Sequence, residues 1–201
     1  MSSDQDASAT PLQKNDALLL IDLQRDYFDD GPMAVDGTKE MIAPINRWLE
    51  DAGQKRATIF ASRDWHPQDH RSFQDQGGPH PAHCVQKSEG AQLHPDLELP
   101  TGTIIINKGE EPDAPDTSAF KGTDLEERFK DAALDTLFVA GLPLDATVRQ
   151  TVLDALEADI DVCVIRDGCC ARDPERTDGV LTELEAAGAQ VTETPTETAP
   201  A

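Results

Sequence analysis

The chain has 201 residues, enough for one domain with a single substantial core, and carries 39 acidic against 17 basic side chains for a formal charge of −22. Such a charge repels phosphate and argues against any broad nucleic-acid surface, and no apolar run approaches the roughly 18–20 residues of a membrane span. The carboxylates are spread through every helical stretch, with aromatics at only 4%, which points to a halophilic setting: a high-salt cytoplasm in which self-repulsion is screened.

Residues 1–15 have neither the basic start nor the apolar centre of a signal peptide, and they read as an acidic, disordered tail. Then come Ala17–Asp22 (ALLLID), Ala57–Ser62 (ATIFAS), Thr103–Lys108 (TIIINK), Thr136–Ala140 (TLFVA) and Asp161–Ile165 (DVCVI). Each is a nearly continuous apolar run, the pattern of a strand covered on both faces of a parallel sheet. Gln190–Thr192 gives a weaker sixth. Between the first two runs, Met41, Ile42, Ile45, Trp48 and Leu49 recur at helical spacing. Thr123 with Glu126 forms a capping-box signature for a short helix, and Val148, Val152, Leu153 and Leu156 mark the apolar stripe of another. Asp173–Pro174 suits the N-cap and first position of a last helix that buries Val180, Leu181 and Leu184. The alternation predicts an α/β protein over residues 16–193: a three-layer α/β/α fold with a mostly parallel sheet of about six strands. The Thr/Pro-rich stretch 194–201 reads as a second disordered tail. The cysteines at 84, 163, 169 and 170 make no disulfide framework, and Cys163, inside an apolar run, reads as core.

The segment from Arg63 to Gly102 breaks this rhythm, with few regular signals and a high density of histidine; so long an irregular connection usually carries function. Ligands of open α/β sheets sit beyond the carboxyl ends of the strands. Asp22, Asp64 with His66, Lys108, the 141–147 turn and Asp167 are therefore expected to converge. In Asp64-Trp65-His66, residues i and i+2 on extended backbone face the same side. With His70 and His83 nearby, two histidines and a carboxylate suit a divalent transition metal with open positions; the plainer alternative is a surface Asp–His pair. Asp22 and Lys108 each end an apolar run, where they suit either a base with its electrostatic partner or a structural salt bridge at the sheet rim.

The stretches LLIDLQRDYF (19–28), SRDWHPQDHRSF (62–73), PAHCVQKSEGAQLHPDL (81–97), NKG (107–109), TSAF (117–120) and VAGLPLD (139–145) carry a further signal. Together they resemble the isochorismatase-like cysteine hydrolases, and within them the nicotinamidases, from about Ala17 to Val191. The resemblance implies an isochorismatase-like hydrolase fold and a cytoplasmic enzyme of NAD salvage that turns nicotinamide into nicotinate and ammonia. It implies Asp22 as general base, Lys108 as the lysine of an Asp–Lys–Cys triad, and Asp64, His66 and His83 as ligands of one divalent ion (zinc, iron or manganese), which holds a pyridine nitrogen. His70 would be a further ligand or a brace for the others. The substrate is then a small amide, with neither nucleic acid nor membrane as partner, and a homo-oligomer is allowed.

Three features depart from the family pattern. The nucleophilic cysteine falls on Thr147, whose hydroxyl is much harder to ionise than a thiol. The family's cis bond falls on Leu142–Pro143, and Pro143 lacks the N–H that would complete the oxyanion hole. Tyr27 keeps an aromatic wall, whereas His80 and Thr117 stand where nicotinamidases usually carry aromatic residues. The expectation is a metal-dependent amidohydrolase with impaired or altered catalysis. The alternatives are a non-catalytic metal- and ligand-binding homologue, or a hydrolase of a different small amide. Cys169 and Cys170, just past a strand, are the candidates for a substitute nucleophile.

Overall fold

The computed structural model describes residues 10–195. The sheet is built on β1 (Ala17–Ile21), which is buried along its whole length. Its alternation sends Leu19 and Ile21 into one apolar cluster and Leu18 and Leu20 into the other, as the two-residue repeat of a strand requires. With β2 (Thr58–Asp64), β3 (Ile104–Lys108), β4 (Thr136–Gly141), β5 (Asp161–Cys169) and β6 (Gln190–Thr192) it forms a six-stranded sheet in the order β3-β2-β1-β4-β5-β6. Every neighbouring pair is parallel.

Helix α1 (Thr38–Lys55) covers one face with Met41, Ile45, Trp48 and Leu49, and Trp48 lies 5.4 Å, centroid to centroid, from Phe138 of β4. Helices α2 (Leu125–Asp131), α3 (Arg149–Glu157) and α4 (Thr177–Ala187) cover the other, through Leu125, Phe129, Val152, Val180 and Leu184. The three-layer α/β/α architecture is the expected one. Among the described residues, no helix is long and apolar enough to cross a membrane.

Several local expectations need correction. β2 and β5 run to Asp64 and Cys169, beyond the Ser62 and Ile165 at which their apolar runs stop, because the parallel ladders continue: Asp64 pairs with Lys108, and Gly141 with Cys169. The Thr123/Glu126 box does not close. Thr123 Oγ1 accepts from Leu125 N–H at 3.3 Å and donates to Ala119 O, while Glu126 pairs with Lys130. Asp173 does cap, accepting from Glu175 N–H at 3.1 Å, but it opens a 3-10 turn, Pro174–Arg176, that leads into α4. Parts of both expected tails pack against the fold: Leu12 is fully buried, Thr10 N–H donates to Thr192 Oγ1, and Thr194 Oγ1 accepts the indole N–H of Trp48. Residues 1–9 and 196–201, the rest of both expected tails, lie outside the described residues.

The strand order reverses its direction of growth between β1 and β4. A crevice opens at such a switch point beyond the carboxyl ends of the strands, and the charged strand ends gather there.

Candidate active site

Asp22 follows the last residue of β1 with φ 53°, a left-handed conformation that costs a non-glycine residue roughly 1–3 kcal/mol and concentrates at functional sites. Its carboxylate is completely buried. Oδ1 accepts from Ser62 Oγ at 2.9 Å, and Oδ2 lies 2.9 Å from the ammonium of Lys108. Lys108, also buried, ion-pairs through the same nitrogen with Asp64 Oδ1 and donates to Asp116 O at 2.8 Å. One cation thus sits between two carboxylates, placed there by the Asp64–Lys108 register of β2 and β3. Burial dominates at Asp22 and pushes its pKa up to about 7, against the pull of Lys108. At Asp64, burial works in the same direction. Lys108, His66 and the 2.6 Å hydrogen bond from Tyr27 OH outweigh it and hold the carboxyl at about 2. Lys108 keeps its proton despite burial, because Asp22 and Asp64 more than offset the desolvation.

The imidazoles are aimed by their outer nitrogens. His66 Nδ1 lies 3.1 Å from Gly109 O, and His83 Nδ1 lies 2.9 Å from Pro81 O. A backbone carbonyl only accepts, so both Nδ1 atoms carry hydrogen and both Nε2 atoms present lone pairs, the usual tautomer of a metal-binding histidine. His66 Nε2 is buried without a hydrogen-bond partner, and burial lowers the His66 pKa to about 4, keeping it neutral. Donor atoms of Asp64, His66 and His83 lie within 4.8 Å of one another. An orphaned nitrogen, a second free imidazole and an ionised carboxylate fit a divalent transition metal. His70 stacks on His66 at 4.0 Å, but Ser72 Oγ and Ala114 O occupy its nitrogens at 2.8 and 3.2 Å. Donor atoms of His66, His70 and Asp116 also lie within 4.8 Å of one another. Gly109 has φ +65°, and a Cβ on it would overlap the His66 ring. Gly109→Ala is therefore expected to weaken zinc binding about 10–100-fold, the usual cost of disturbing what orients a ligand. A chelator-competition titration measures this, and an unchanged affinity would show that His66 is not a ligand.

Above this cluster lies a cleft of about 280 Å³. Asp64, His83 and Asp116 line its inner end; Tyr27, His80 and Thr117 form part of its wall; Thr147 faces it from the 141–147 turn. Asp22, Lys108, His66, Leu142 and Pro143 do not line it and form a second tier beneath the floor. The turn is tightly built. Gly141 has φ +140°, and a Cβ there would overlap the backbone of Ile21. Leu142–Pro143 is cis, and Leu144–Val148 forms a π-helical turn closed by Val148 N–H to Pro143 O at 3.1 Å. Thr147 is mostly buried, and among the described residues its Oγ1 makes no hydrogen bond to Asp22 or Lys108.

The expected convergence fails at Asp167, whose carboxylate instead accepts from Thr194 N–H at 3.0 Å. Neither Cys169 nor Cys170 lines the cleft. Burial raises their thiol pKa values to about 12 and 11, and Cys170 Sγ donates to Gly37 O, so neither replaces the missing nucleophile. The sequence reading did not anticipate Ser62, Asp116 or Gln24. The buried Gln24 side chain accepts from Asp64 N–H at 2.8 Å and donates to Asp64 O and Ala91 O. Ser62, the hydroxyl that ends the ATIFAS run, was the signal available for the first; Asp116 and Gln24 lie in irregular chain and carry none.

The same ordering of strand ends and turn is found in known proteins. Residues 16–196 match the model of the isochorismatase domain. The chain belongs to the isochorismatase family. This isochorismatase-family chain is 37% identical over 196 residues to the nicotinamidase of Escherichia coli (strain K12), spanning 86% of this chain and 92% of that protein. It superposes on the pyrazinamidase of Pyrococcus horikoshii, solved in complex with zinc, with a TM-score of 0.86 and 35% identity over 89% of this chain and 99% of that one. PnC1 from L. infantum, in complex with nicotinate, gives 0.83 and 30% over 92% and 96%.

Proposed function

We propose that this isochorismatase-family chain hydrolyses a small amide, nicotinamide first among them, to the carboxylate and ammonia, using a divalent ion held by Asp64, His66 and His83. Zinc, iron and manganese all suit that donor set. The observation that carries the reading is the buried Lys108 ammonium shared by Asp22 and Asp64, directly beneath a cleft onto which Asp64, His83 and Thr147 open. When bound, the ion supplies positive charge at the inner end of the cleft and a coordination point for a ring nitrogen. Asp22, with its pKa near neutrality, has the protonation range of a general base; because it does not line the cleft, on this reading a water relays the proton between it and the reacting groups. Lys108 stays charged and holds that carboxylate in place. On this reading Thr147, which lines the cleft, supplies the attacking hydroxyl, and Pro143 offers no N–H to the developing oxyanion. Turnover is therefore slow: one missing donor of this kind costs about 10²–10³ in rate. On this reading the protein serves NAD salvage in a high-salt cytoplasm.

The test is ammonia release from nicotinamide in molar salt, with each of the three metals added. Slow, metal-dependent release is expected, and Asp64→Ala is expected to abolish both release and bound metal. Equal metal content in Asp64→Ala and the parent would refute the ligand assignment. The missing hydrogen bond from Thr147 to Asp22 or Lys108 favours a second reading, a homologue that binds metal and ligand without turnover. A silent parent that still binds zinc and nicotinamide calorimetrically would establish it.

The pH dependence follows from the sign of the Asp22 shift. A base must be unprotonated, and burial raises the Asp22 pKa to about 7, so kcat/KM is expected to climb as pH rises toward 7 and to level off above it. A profile that is flat from acid to neutral pH would remove Asp22 from the reaction.

A further inference from the structure

The outer half of the cleft holds a cation that the amide chemistry does not use. Two arginines line the cleft, and Arg149 is committed to a bidentate pair with Glu183; Arg176, outside the lining, lies 3.4 Å from Asp145 Oδ2. Arg172 lines the cleft, is exposed, and among the described residues its guanidinium has neither an ion-pair nor a hydrogen-bond partner. Its backbone is fixed all the same. Arg172 N–H donates to Asp145 Oδ1 at 3.0 Å, and two residues earlier Cys170 O accepts from Leu144 N–H at 2.7 Å. Asp145 and Leu144 belong to the turn that carries Thr147, so the backbone from which the free guanidinium reaches is anchored to the turn that carries that hydroxyl. The wall beside it is polar. His80 and Thr117, both able to donate a hydrogen bond, line the cleft with Arg172. Of the carboxylates that line the cleft, Asp64 is ion-paired with Lys108, Asp116 lies 3.8 Å from His66 Nε2, and Asp145 is met by the Arg172 N–H and the Arg176 guanidinium.

Resting on the amidase reading above, we propose that Arg172 is a specificity-determining residue that takes an anionic group at the far end of the substrate, making a small amide with a distal carboxylate the preferred substrate class. A planar guanidinium matches a carboxylate through two parallel N–H donors. In a chain of charge −22 the overall field repels anions, so an anionic substrate is admitted only where a local cation is left unneutralised. The polar wall fits the same ligand: a plain pyridine ring gains little from His80 and Thr117, whereas a ring bearing a carboxylate meets groups that can hydrogen-bond to it.

Calorimetry on the zinc-loaded full chain at low salt tests this with two probes: nicotinamide carrying a carboxylate meta to the carboxamide, and its counterpart with methyl there. The parent is expected to bind the carboxylate form about 5–10-fold more tightly, a preference that shrinks in molar salt. In Arg172→Gln the ratio is expected to fall to about one. Lys55→Gln, which removes an exposed cation at the far end of α1, is expected to leave the ratio standing. No preference in the parent, no measurable binding of the carboxylate form, or a preference that survives Arg172→Gln would each overturn the assignment. Ammonia release from the methyl form by the parent reports separately on the amidase reading, so the two failures are distinguishable.

Discussion

Lys108→Met is expected to be among the most damaging single substitutions in the chain, costing about 3–5 kcal/mol of stability at neutral pH. The lysine is buried with no solvent to replace it, and it is the only cation within ion-pairing distance of Asp22 among the described residues. Without it, Asp22 retains the Ser62 hydroxyl, and Asp64 retains the Tyr27 hydroxyl and the His66 ring at 3.5 Å. None of these compensates an isolated buried charge. The sign of the pH effect follows. Removing the ammonium raises the folded-state pKa of both carboxyls above their unfolded values. The damage is therefore present at neutral pH and fades as pH falls and the carboxyls take up protons. Denaturant unfolding of chelator-treated protein across that range measures it. Adding Asp22→Asn to Lys108→Met is expected to recover part of the loss by removing one unpaired charge. A variant as stable as the parent at every pH would mean that the Asp22–Lys108–Asp64 cluster contributes nothing to the fold.

Thr147→Cys is expected to speed ammonia release from nicotinamide by about 10²-fold. A thiol ionises far more readily than a hydroxyl, whereas the threonine requires a base in contact with it, and neither Asp22 nor Lys108 is hydrogen-bonded to it. Cysteine is close in size to threonine, and the position is mostly buried within the π-helical turn, so the fold is expected to persist. The acidic limb of the rate profile becomes the measure of who handles the proton. If Asp22 serves the new thiol, Asp22→Asn in the Thr147→Cys background removes the gain. No ammonia from either form would sink the amidase reading, and release that is unchanged by Thr147→Cys would mean that attack does not start from this residue.

The strands were legible because burial on both faces leaves an uninterrupted apolar run, and their order brought Asp22, Asp64 and Lys108 together as the sequence suggested. The tiering of the site was not legible. That Asp64 opens onto the cleft while Asp22 and Lys108 lie beneath it depends on the register of β2 against β3 and on the left-handed turn at Asp22, and neither leaves a mark in residue order. Asp167 misled for a related reason: β5 continues past Ile165, so a carboxylate that seemed to stand at a strand end lies within the strand and bonds to Thr194. Leu12 was hidden by its polar neighbours, a lone apolar residue that finds the core through tertiary contact.

Because a single ammonium answers to two acids, Asp22, Lys108 and Asp64 form one electrostatic unit. Charge gained or lost at Asp64 is felt at Asp22, both directly and through Lys108. On the proposed reading, a substitution of Asp64 would therefore change ion holding and proton handling together.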